Sequence, residues 1–339
     1  MHRIRIAQIG TGHDHAHYTM ESMRRLADDF EVVGIYEPTE EYLEKSKTWA
    51  AFEGIPHYDS LEELLAIEGL EAIAIECDEL SADKFSIPVL ERGLALHLDK
   101  PGGYDPAIFR RALTMAKERS IPLQMGYMYR YNPMVKKILS LVREGKLGRV
   151  FSVETHMSVR HPKEKRQWLS SFEGGMMYFL GCHLLDLTLL IQGFPEKITA
   201  YNRNTAIEGQ KPAEDLGFAV LEYENGLSTI KTCAAEVNGF ERRQLVVTAE
   251  NATIEVKPLE SKAPNSDSLM VSHARITWHG EDVDPWRDAS EKLESDVYDR
   301  YDPMMHDFAQ IVRGEKQNDY TYDYEIALFE AHLACCGRV

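Results

Sequence analysis

The stretch "RIRIAQIGTGHDHAHY", residues 3–18, decides how the N-terminal part of this chain folds. An apolar run typical of a strand ends at Gly10 and Gly12, and helical spacing begins near residue 16. A strand, a glycine turn and a helix in this order open a dinucleotide-binding unit, in which the turn faces the pyrophosphate. The histidines that alternate through the same turn are also metal-ligand types. These two interpretations predict different functions.

The alternation of short apolar runs and helical spacing continues to about residue 124. Further strands are predicted at "EVVGIY", "EAIAIE", "LALHL" and "IPLQM", and helices near 16–28, 39–52, 60–67, 81–92 and 105–119. Ser60 and Glu63 form a capping-box pattern at the start of one of these helices. Strands that are apolar on both faces and separated by helices indicate a parallel sheet covered on both sides. We therefore predict a Rossmann-type, doubly wound α/β domain over residues 1–124.

The pattern changes after residue 124 to longer alternating runs, which are typical of antiparallel strands. These runs are "VFSVETHMSV", "DLGFAVLEYE", "LSTIKTCAAEV" and "RQLVVTAENATIEV". The "ENG" at 224–226 is a hairpin signal, and helices are predicted around 177–192 and in the last 40 or so residues. Residues 125–339 are thus predicted to form an α+β domain on a large, mostly antiparallel open sheet, with C-terminal helices that could pack back on the first domain.

Composition narrows the class of partner. The formal net charge is −17, which argues against nucleic acid and anionic membrane partners, because both require clustered cations. The five cysteines are odd in number and form no CxxC pair, so neither a disulfide framework nor a thiolate zinc site is indicated. The N-terminus lacks a secretory pattern, and the apolar run "YFLGCHLLDLTLLI" is too short to cross a bilayer. We expect a cytoplasmic protein with a small-molecule partner.

The glycine turn suits a dinucleotide. Gly10 allows the tight bend and Gly12 lets the backbone approach the phosphates, while His15 stands where a third glycine is usual. Glu37 ends the second strand, where a carboxylate can bind the adenosine ribose hydroxyls and repel a 2′-phosphate, which favours NAD over NADP. The predicted cofactor-binding residues are Gly10, Thr11, Gly12, His13, His15, Glu37, Glu76, Lys100 and Pro101.

Two later segments carry groups suited to oxidising an alcohol. In "LDKPGGYD", residues 98–105, Lys100 follows a predicted strand, so it projects at the carboxyl edge of the sheet. In "GGMMYFLGCHLLD", residues 174–186, Phe179, His183 and Asp186 follow i+4 and i+3 steps and share a helix face. A histidine can accept the hydroxyl proton as hydride leaves, and an ammonium can stabilise the developing alkoxide.

Together these segments resemble the Gfo/Idh/MocA oxidoreductases, the group that contains glucose-fructose oxidoreductase and inositol dehydrogenase. The resemblance rests on the GxG turn, "DKP" in place of the usual EKP, "YRYNP" at 129–133 and the helix that carries His183. It implies NAD(P) on the first domain and a homodimer or homotetramer assembled through the C-terminal sheet. It also implies hydride transfer at a carbinol of a sugar, cyclitol or polyol derivative, with Lys100 binding the reacting oxygen and His183 transferring the proton.

The chain departs from the family pattern at Phe179, where an aspartate is usual one turn before the histidine. Asp186 could hold the imidazole of His183 instead, or Tyr178 or Tyr131 could supply a hydroxyl. Two alternatives follow from the missing carboxylate. One is a non-redox reaction such as glycoside cleavage or epimerisation, with bound NAD as an internal shuttle. The other is a ligand-binding or regulatory protein with altered catalysis.

A second departure is the acidic loop "ECDELSAD", residues 76–83, which replaces a Thr-Pro-Asn run followed by a histidine. In the usual strand order this loop faces the histidine turn. The imidazoles of His13, His15 and His17 and the carboxylates of Asp14, Glu76, Asp78 and Glu79 would then be sufficient for a zinc or manganese site. Because the glycines and the family pattern already account for the turn, the sequence favours a nucleotide loop and no metal ligand is assigned.

Candidate substrate contacts lie in the second half. The "GYMYRYNP" stretch offers aromatic rings for a sugar face and donors for its hydroxyls, although such residues also pack domain junctions. The basic island "RHPKEKRQW", residues 160–168, could receive a carboxylate or phosphate, or could be a solvated loop. The predicted substrate-binding residues are Tyr127, Arg130, Tyr131, Arg160, Trp168 and Phe179.

Overall fold

The computed structural model describes residues 2–206, 213–266, 268–280, 284 and 286–338. The chain forms two compact units. The first unit comprises Met1–Met128 and Tyr301–Ala327, and the second comprises Tyr129–Arg300 and Leu328–Val339. The first unit therefore combines the N-terminal sequence with a segment from near the C-terminus.

The first unit is built on a five-stranded parallel sheet with the strand order β2-β1-β3-β4-β5. The strands are β1 (Ile4–Ile9), β2 (Phe30–Tyr36), β3 (Ala72–Ile75), β4 (Ala95–Leu98) and β5 (Leu123–Met125). The helices are α1 (Ala16–Arg25), α2 (Glu40–Ser46), α3 (Leu61–Leu65), α4 (Asp83–Glu91), α5 (Pro106–Arg119) and α9 (Asp302–Val312). The predicted doubly wound sheet is confirmed, and its order reverses between β1 and β3, where such folds bind ligands.

Local sequence explains several helix boundaries in this unit. The Ser60 side chain accepts a hydrogen bond from Glu63 N at 3.2 Å and so caps α3, as the capping pattern predicts. Asp105 caps α5 in the same way, with proline at its first position. The single helix predicted over 39–52 is wrong, because α2 ends at Ser46. There the Thr48 hydroxyl bonds back to the Lys45 carbonyl, which competes with helix propagation.

The second unit is built on an eight-stranded sheet with the order β15-β14-β11-β10-β6-β9-β8-β7. Its strands are β6 (Val150–Ser158), β7 (Lys197–Ala200), β8 (Leu216–Tyr223), β9 (Gly226–Cys233), β10 (Gln244–Ala249), β11 (Ala252–Val256), β14 (His273–Trp278) and β15 (Glu291–Glu294). A separate pair is formed by β12 (Ser261–Lys262) and β13 (Met270–Val271). Apart from the parallel neighbours β6 and β9, the large sheet is antiparallel, as predicted. The "ENG" hairpin is also confirmed, since Tyr223 pairs with Gly226.

The helices of the second half are α6 (Pro133–Arg143), α7 (Lys163–Trp168), α8 (Cys182–Gln192) and α10 (Tyr322–Cys335). A π-helical turn, Met177–Gly181, leads directly into α8. Helix α8 is buried on nearly every side and packs against β6, which explains its uniformly apolar sequence. Within the ranges that the structure describes, no helix has the length and apolar character needed to span a membrane.

Candidate functional site

The glycine turn of the first unit is shaped by its neighbours. Gly10 has a φ of +89°, and a Cβ there would lie 2.5 Å from the backbone nitrogen of Cys77, so the position requires glycine. A Cβ at Gly12 would lie 2.6 Å from the ring of Tyr42. The sequence predicts that Gly12 leaves space for phosphates beside the backbone. In the structure, the ring of Tyr42 packs on that side of Gly12.

The start of α1 has the features of an anion site. It has no acidic residue in its first turn, and the side chain of its N-cap residue, His15, makes no capping hydrogen bond. Arg24 and Arg25 lie in its last turn, where cations complement the helix dipole. The N-terminal end of α1 thus presents positive potential beside the glycine turn, which suits the pyrophosphate of a dinucleotide.

Glu37 joins the end of β2 to the glycine turn. One of its carboxylate oxygens accepts hydrogen bonds from Thr11 N at 2.5 Å and Thr11 Oγ1 at 3.0 Å, and the other accepts from Thr39 N at 2.8 Å. The carboxylate is 8% exposed, at the position where NAD-binding folds place their ribose-binding acid. Its remaining lone pairs and its charge fit that role, although the sequence did not show that Glu37 also holds the turn.

His13 and His15 converge on a carboxylate that the sequence analysis did not select. His13 Nδ1 lies 2.5 Å from Asp99 Oδ2, and His15 Nδ1 lies 3.0 Å from the same oxygen. On the far side of the first ring, His13 Nε2 lies 3.2 Å from Glu79 Oε1. The two rings pack edge to face with their centroids 4.5 Å apart. We call these four residues the histidine–aspartate cluster.

Topology assembles the histidine–aspartate cluster from three adjacent strands. The histidines follow β1, Glu79 follows β3 and Asp99 follows β4, so all four lie at the carboxyl edge of the sheet. Gly126 allows Asp99 to lie there, because a Cβ at Gly126 would be 2.5 Å from Asp99 Oδ1. The same oxygen accepts a hydrogen bond from Lys100 N at 2.8 Å. The signal that could have identified Asp99 is its position at a strand end beside the histidine turn.

Burial and contacts between charged groups shift the pKa values of His13, His15 and Glu76 in different directions. Burial disfavours the charged ring of His13, but the carboxylates of Asp99 and Glu79 outweigh it and raise the pKa of His13 to about 10. Burial lowers the pKa of His15 to about 4, against a weaker opposing effect of Asp99. Burial, followed by the charge of Asp99, raises the pKa of Glu76 well above its usual range. The carboxylates thus favour the charged form of His13, whereas burial favours the neutral forms of His15 and Glu76.

The other imidazole and carboxylates considered for a metal site do not join this cluster. His17 lies elsewhere, with its ring 3.8 Å from that of Tyr18 and 4.8 Å from that of Trp49. Glu76 is buried beside His97, with its Oε1 3.7 Å from His97 Nε2, and its backbone carbonyl accepts a hydrogen bond from His13 N. Of the three histidines in the turn, His13 and His15 therefore lie together at Asp99, and His17 lies apart from them.

Lys100 lies at the same carboxyl edge, directly after β4. It is 2% exposed, and the peptide bond to Pro101 is cis. The following turn is held by Asp83, whose carboxylate accepts hydrogen bonds from Tyr104 N at 2.7 Å and Asp105 N at 2.8 Å. Tyr127, predicted to bind substrate, is buried just after β5. The first unit thus brings the glycine turn, the histidine–aspartate cluster and Lys100 to one edge of its sheet.

In the second unit, His183 and Phe179 have different environments. His183 is buried on α8, where its ring packs edge to face against Tyr129 at 5.1 Å between centroids. Phe179 lies in the π-helical turn, a feature often found at functional sites. Its ring packs edge to face against that of Trp168, with the ring centroids 5.5 Å apart. Lys165 Nζ lies 4.6 Å from the centroid of the Phe179 ring. The position that usually carries an aspartate is therefore part of an aromatic group that includes the predicted Trp168.

Asp186, predicted to be catalytic, and Arg130, predicted to bind substrate, form a buried ion pair with each other. Arg130 Nε donates to Asp186 Oδ2 at 2.9 Å, and its terminal nitrogen donates to Oδ1 at 2.8 Å. Both side chains are about 1% exposed. Such a two-bond pair satisfies both oxygens of the carboxylate and holds α8 to the segment before α6.

A second buried network surrounds Tyr129. Its hydroxyl donates to Glu260 at 2.6 Å and accepts from Arg243 at 2.9 Å, while Arg300 Nε donates to Glu260 at 2.8 Å. Burial, and then the charge of Glu260, raise the pKa of Tyr129 to about 12. Sequence reasoning missed Glu260 because it lies in an irregular segment far from "YRYNP".

Two other predicted substrate contacts lie nearer the surface. Tyr131 is half-buried, with Lys136 Nζ 5.8 Å from its ring centroid. Arg160 is exposed, and its backbone pairs with Ala235.

The architecture of the first unit is that of a doubly wound nucleotide-binding fold. Residues 4–127 match the family described as "Oxidoreductase family, NAD-binding Rossmann fold". Residues 135–255 match the "GFO/IDH/MocA C-terminal domain". The chain belongs to the Gfo/Idh/MocA oxidoreductase family, as the sequence resemblance indicated.

Known proteins similar to this chain act on diols and sugars. The bovine (Bos taurus) trans-1,2-dihydrobenzene-1,2-diol dehydrogenase is 26% identical over 197 residues, which are 57% of this chain and 57% of that enzyme. The UDP-N-acetylglucosamine 3-dehydrogenase of Acidithiobacillus ferrooxidans has a TM-score of 0.78 at 17% identity, covering 100% of this chain and 98% of that chain. A 3-ketoreductase of Actinomadura kijaniata, in complex with NADP and TDP-benzene, has a TM-score of 0.79 at 14% identity, covering 98% and 97%. At these identities the two structures establish the fold.

Proposed function

We propose that this protein is an NAD-preferring oxidoreductase that transfers hydride between nicotinamide and a carbinol of a sugar, cyclitol or polyol derivative. The observation that carries the proposal is the position of Lys100. A buried lysine at the carboxyl edge of a Rossmann sheet, beside a glycine turn, supports this proposal, because dinucleotide and substrate meet at that edge in such folds. The diol and sugar chemistry of the similar proteins supports this substrate class.

The residues of this chain divide the chemistry between them. Bound NAD supplies the hydride acceptor. In the proposed reaction, the Lys100 ammonium stabilises the alkoxide that develops on the substrate oxygen. His183 takes the hydroxyl proton, and the carbinol carbon loses hydride to become a carbonyl. Asp186 and Arg130 act as positioning residues, because their buried pair holds the helix that carries His183.

The preference for NAD is assigned to Glu37. Its carboxylate lies at the end of β2, where a 2′-phosphate would meet a like charge. The 3-ketoreductase with the same fold binds NADP, so the fold accommodates either cofactor. The local charge on β2 is therefore the feature of this chain that would discriminate between them.

The proposal is tested by titrating the protein with NAD, NADP and NADH in a calorimeter and then screening sugars, cyclitols and polyols for NADH formation. We expect NAD to bind more tightly than NADP, and at least one compound to reduce it. Tight NAD binding without NADH formation from any compound would count against net oxidation. Absence of nucleotide binding would overturn the proposal altogether.

A second candidate function follows from Phe179. An aromatic ring packed against Trp168 cannot orient His183 or share a proton with it. In a reaction in which NAD is reduced and reoxidised on the enzyme, such as epimerisation or glycoside cleavage, the residue at position 179 would have a different role from the usual aspartate. Product formation without accumulation of NADH, measured by chromatography of the sugar, separates this function from the first.

We also propose that the second unit forms a homodimer or homotetramer through its large sheet. Residues of β8 and β10 alternate between buried and half-buried, and the half-buried set includes Phe218, Val220 and Val246. Light scattering after size exclusion should give a multiple of the monomer mass, which Val220→Glu lowers and Val237→Glu, in an exposed loop, leaves unchanged.

The five free cysteines support a reducing, cytoplasmic location.

A further inference from the structure

We propose that the histidine–aspartate cluster binds one divalent transition-metal ion, with His13, His15 and Asp99 as ligands and Glu79 as a supporting carboxylate. One donor atom from each of the three ligands lies within 4.8 Å of the other two. No metal is required by hydride transfer to NAD, so this site is an addition to the proposed function. It also differs from the histidine and carboxylate set that the sequence suggested, since it excludes His17.

The spacing of the donor atoms suits a first-row metal. His13 Nδ1 and His15 Nδ1 lie 2.5 Å and 3.0 Å from Asp99 Oδ2. Ligands about 2.1 Å from a tetrahedral zinc are roughly 3.4 Å from each other. An outward shift of less than about 1 Å by each side chain would therefore bring both donor pairs to that separation.

The surroundings of the ligands have the form of a supporting shell. Metal-binding histidines usually donate their other ring nitrogen to a carboxylate, which fixes the tautomer and the ring orientation. His13 Nε2 faces Glu79 Oε1 at 3.2 Å, while its Nδ1 faces Asp99 and also accepts a hydrogen bond from His15 N at 3.1 Å. Asp99 is held in turn by Lys100 N, which donates to its Oδ1 and leaves Oδ2 for the metal.

Ligand chemistry selects the class of ion. Two imidazole nitrogens and one carboxylate oxygen suit zinc, cobalt, manganese or iron, whereas magnesium and calcium prefer sites made entirely of oxygen. Among these ions, zinc is bound tightly by nitrogen and oxygen donors in the usual affinity order, which makes it the first probe. Three protein ligands leave at least one coordination position for water or another oxygen donor, the arrangement of reactive rather than purely structural sites.

The test uses the full chain without a histidine tag, treated with a chelator and kept free of nucleotide. Calorimetric titration with zinc should give one equivalent bound, and elemental analysis after desalting should recover it. Cobalt should give the visible absorption bands of a nitrogen-ligated ion. None of these readouts depends on catalytic turnover, so failure of the metal site and failure of the proposed hydride transfer are distinguishable.

Matched variants identify the ligands. His15→Ala and Asp99→Asn should each weaken zinc binding by more than the roughly 10- to 100-fold that loss of a supporting residue costs. Glu79→Gln should weaken it by about 10-fold. His17→Ala removes a histidine from the same turn but outside the site, and it should leave zinc affinity unchanged.

Two results overturn the site. One is the absence of stoichiometric zinc binding to folded wild-type protein, which would leave a hydrogen-bonded network of histidines and carboxylates only. The other is binding that survives both His15→Ala and Asp99→Asn, or that falls equally in His17→Ala. Circular dichroism checks that each variant folds. If Asp99→Asn does not, His15→Ala decides the question, because that side chain is 13% exposed and is better tolerated when truncated.

Discussion

Two buried aspartates, one in each unit, have opposite environments. Each carboxylate oxygen of Asp186 accepts a hydrogen bond from Arg130, so the two opposite charges lie in direct contact. Asp99 is shared by two imidazoles and a backbone N–H, with a second carboxylate on the far side of His13. A closed pair stabilises the fold that surrounds it. A carboxylate shared among titratable groups at the carboxyl edge of a parallel sheet is available to a ligand.

The largest expected effect is on the closed pair. Asp186→Asn leaves the Arg130 guanidinium buried without its counter-charge, which should lower the free energy of unfolding by about 3–5 kcal/mol. Urea denaturation followed by circular dichroism measures it. The matched control is Arg275→Met, which breaks an exposed pair with Asp288 and should cost less than about 1 kcal/mol.

A double variant separates the pair from its charges. Replacing both partners by apolar residues, Arg130→Met with Asp186→Leu, should recover most of the lost stability. If Asp186→Asn instead retains wild-type stability and loses only turnover, the pair is not a structural element. Asp186 would then act on the reaction directly, as the sequence predicted.

The next largest expected effect is at Lys100, which follows Asp99 at the carboxyl edge of the parallel sheet. Lys100→Met keeps most of the side-chain volume and removes the ammonium, so it should lower kcat by roughly 100- to 1,000-fold, as loss of one oxyanion donor does. The loss of unfolding free energy should be smaller than in Asp186→Asn. Lys117→Met, which removes an exposed lysine paired with Asp323 in the same unit, should not change kcat. Turnover that survives Lys100→Met would remove this residue from the reaction.

The fold could be predicted from the sequence to a large extent because burial leaves a one-dimensional record. Strands β1, β3 and β4 are buried on both faces, so their sequences are continuous apolar runs. The antiparallel strands β8 and β10 alternate in burial, although the sequence of β8 has no polar side chain before Glu222. The π-helical turn before α8 leaves no such record, because its apolar pattern is the same as that of an α-helix.

The candidate site was only partly predictable, because pairing between distant residues leaves no periodic signal. The sequence identified Lys100 and the histidine turn from their positions at predicted strand ends. It did not identify Asp99, although that residue immediately precedes Lys100, since its contact with His13 depends on the order of the strands. The pair of Arg130 and Asp186 was hidden for the same reason, and each residue was interpreted alone.

The next prediction tests how tightly the backbone packs at the glycine turn, at the carboxyl edge of the parallel sheet. Gly10→Ala and Gly54→Ala both place a side chain at positive φ, at a cost of about 1–2 kcal/mol. Only at Gly10 would the new Cβ meet the backbone of Cys77, whereas nothing lies within 4 Å at Gly54. Gly10→Ala should therefore destabilise by a further ~1–3 kcal/mol, measured by thermal unfolding. Equal losses at the two positions would show that the turn relaxes freely.

The smallest expected effect is at Glu37. Its carboxylate stabilises the local fold, as Asp186 does, and in our proposal it also faces a ligand, as Asp99 does. Its carboxylate holds Thr11 in the turn, and its charge opposes a 2′-phosphate. Glu37→Gln retains an oxygen that can accept from Thr11 N and removes the charge. The ratio of NADP to NAD affinity should then rise about 10-fold, since like charges near a protein surface repel by a few kcal/mol at most. Calorimetric titration with both nucleotides measures this ratio, and Glu40→Gln, an exposed acid at the start of α2, should leave it unchanged. If both nucleotides weaken equally in Glu37→Gln, the carboxylate serves only to hold the turn, and discrimination against NADP lies elsewhere in the chain.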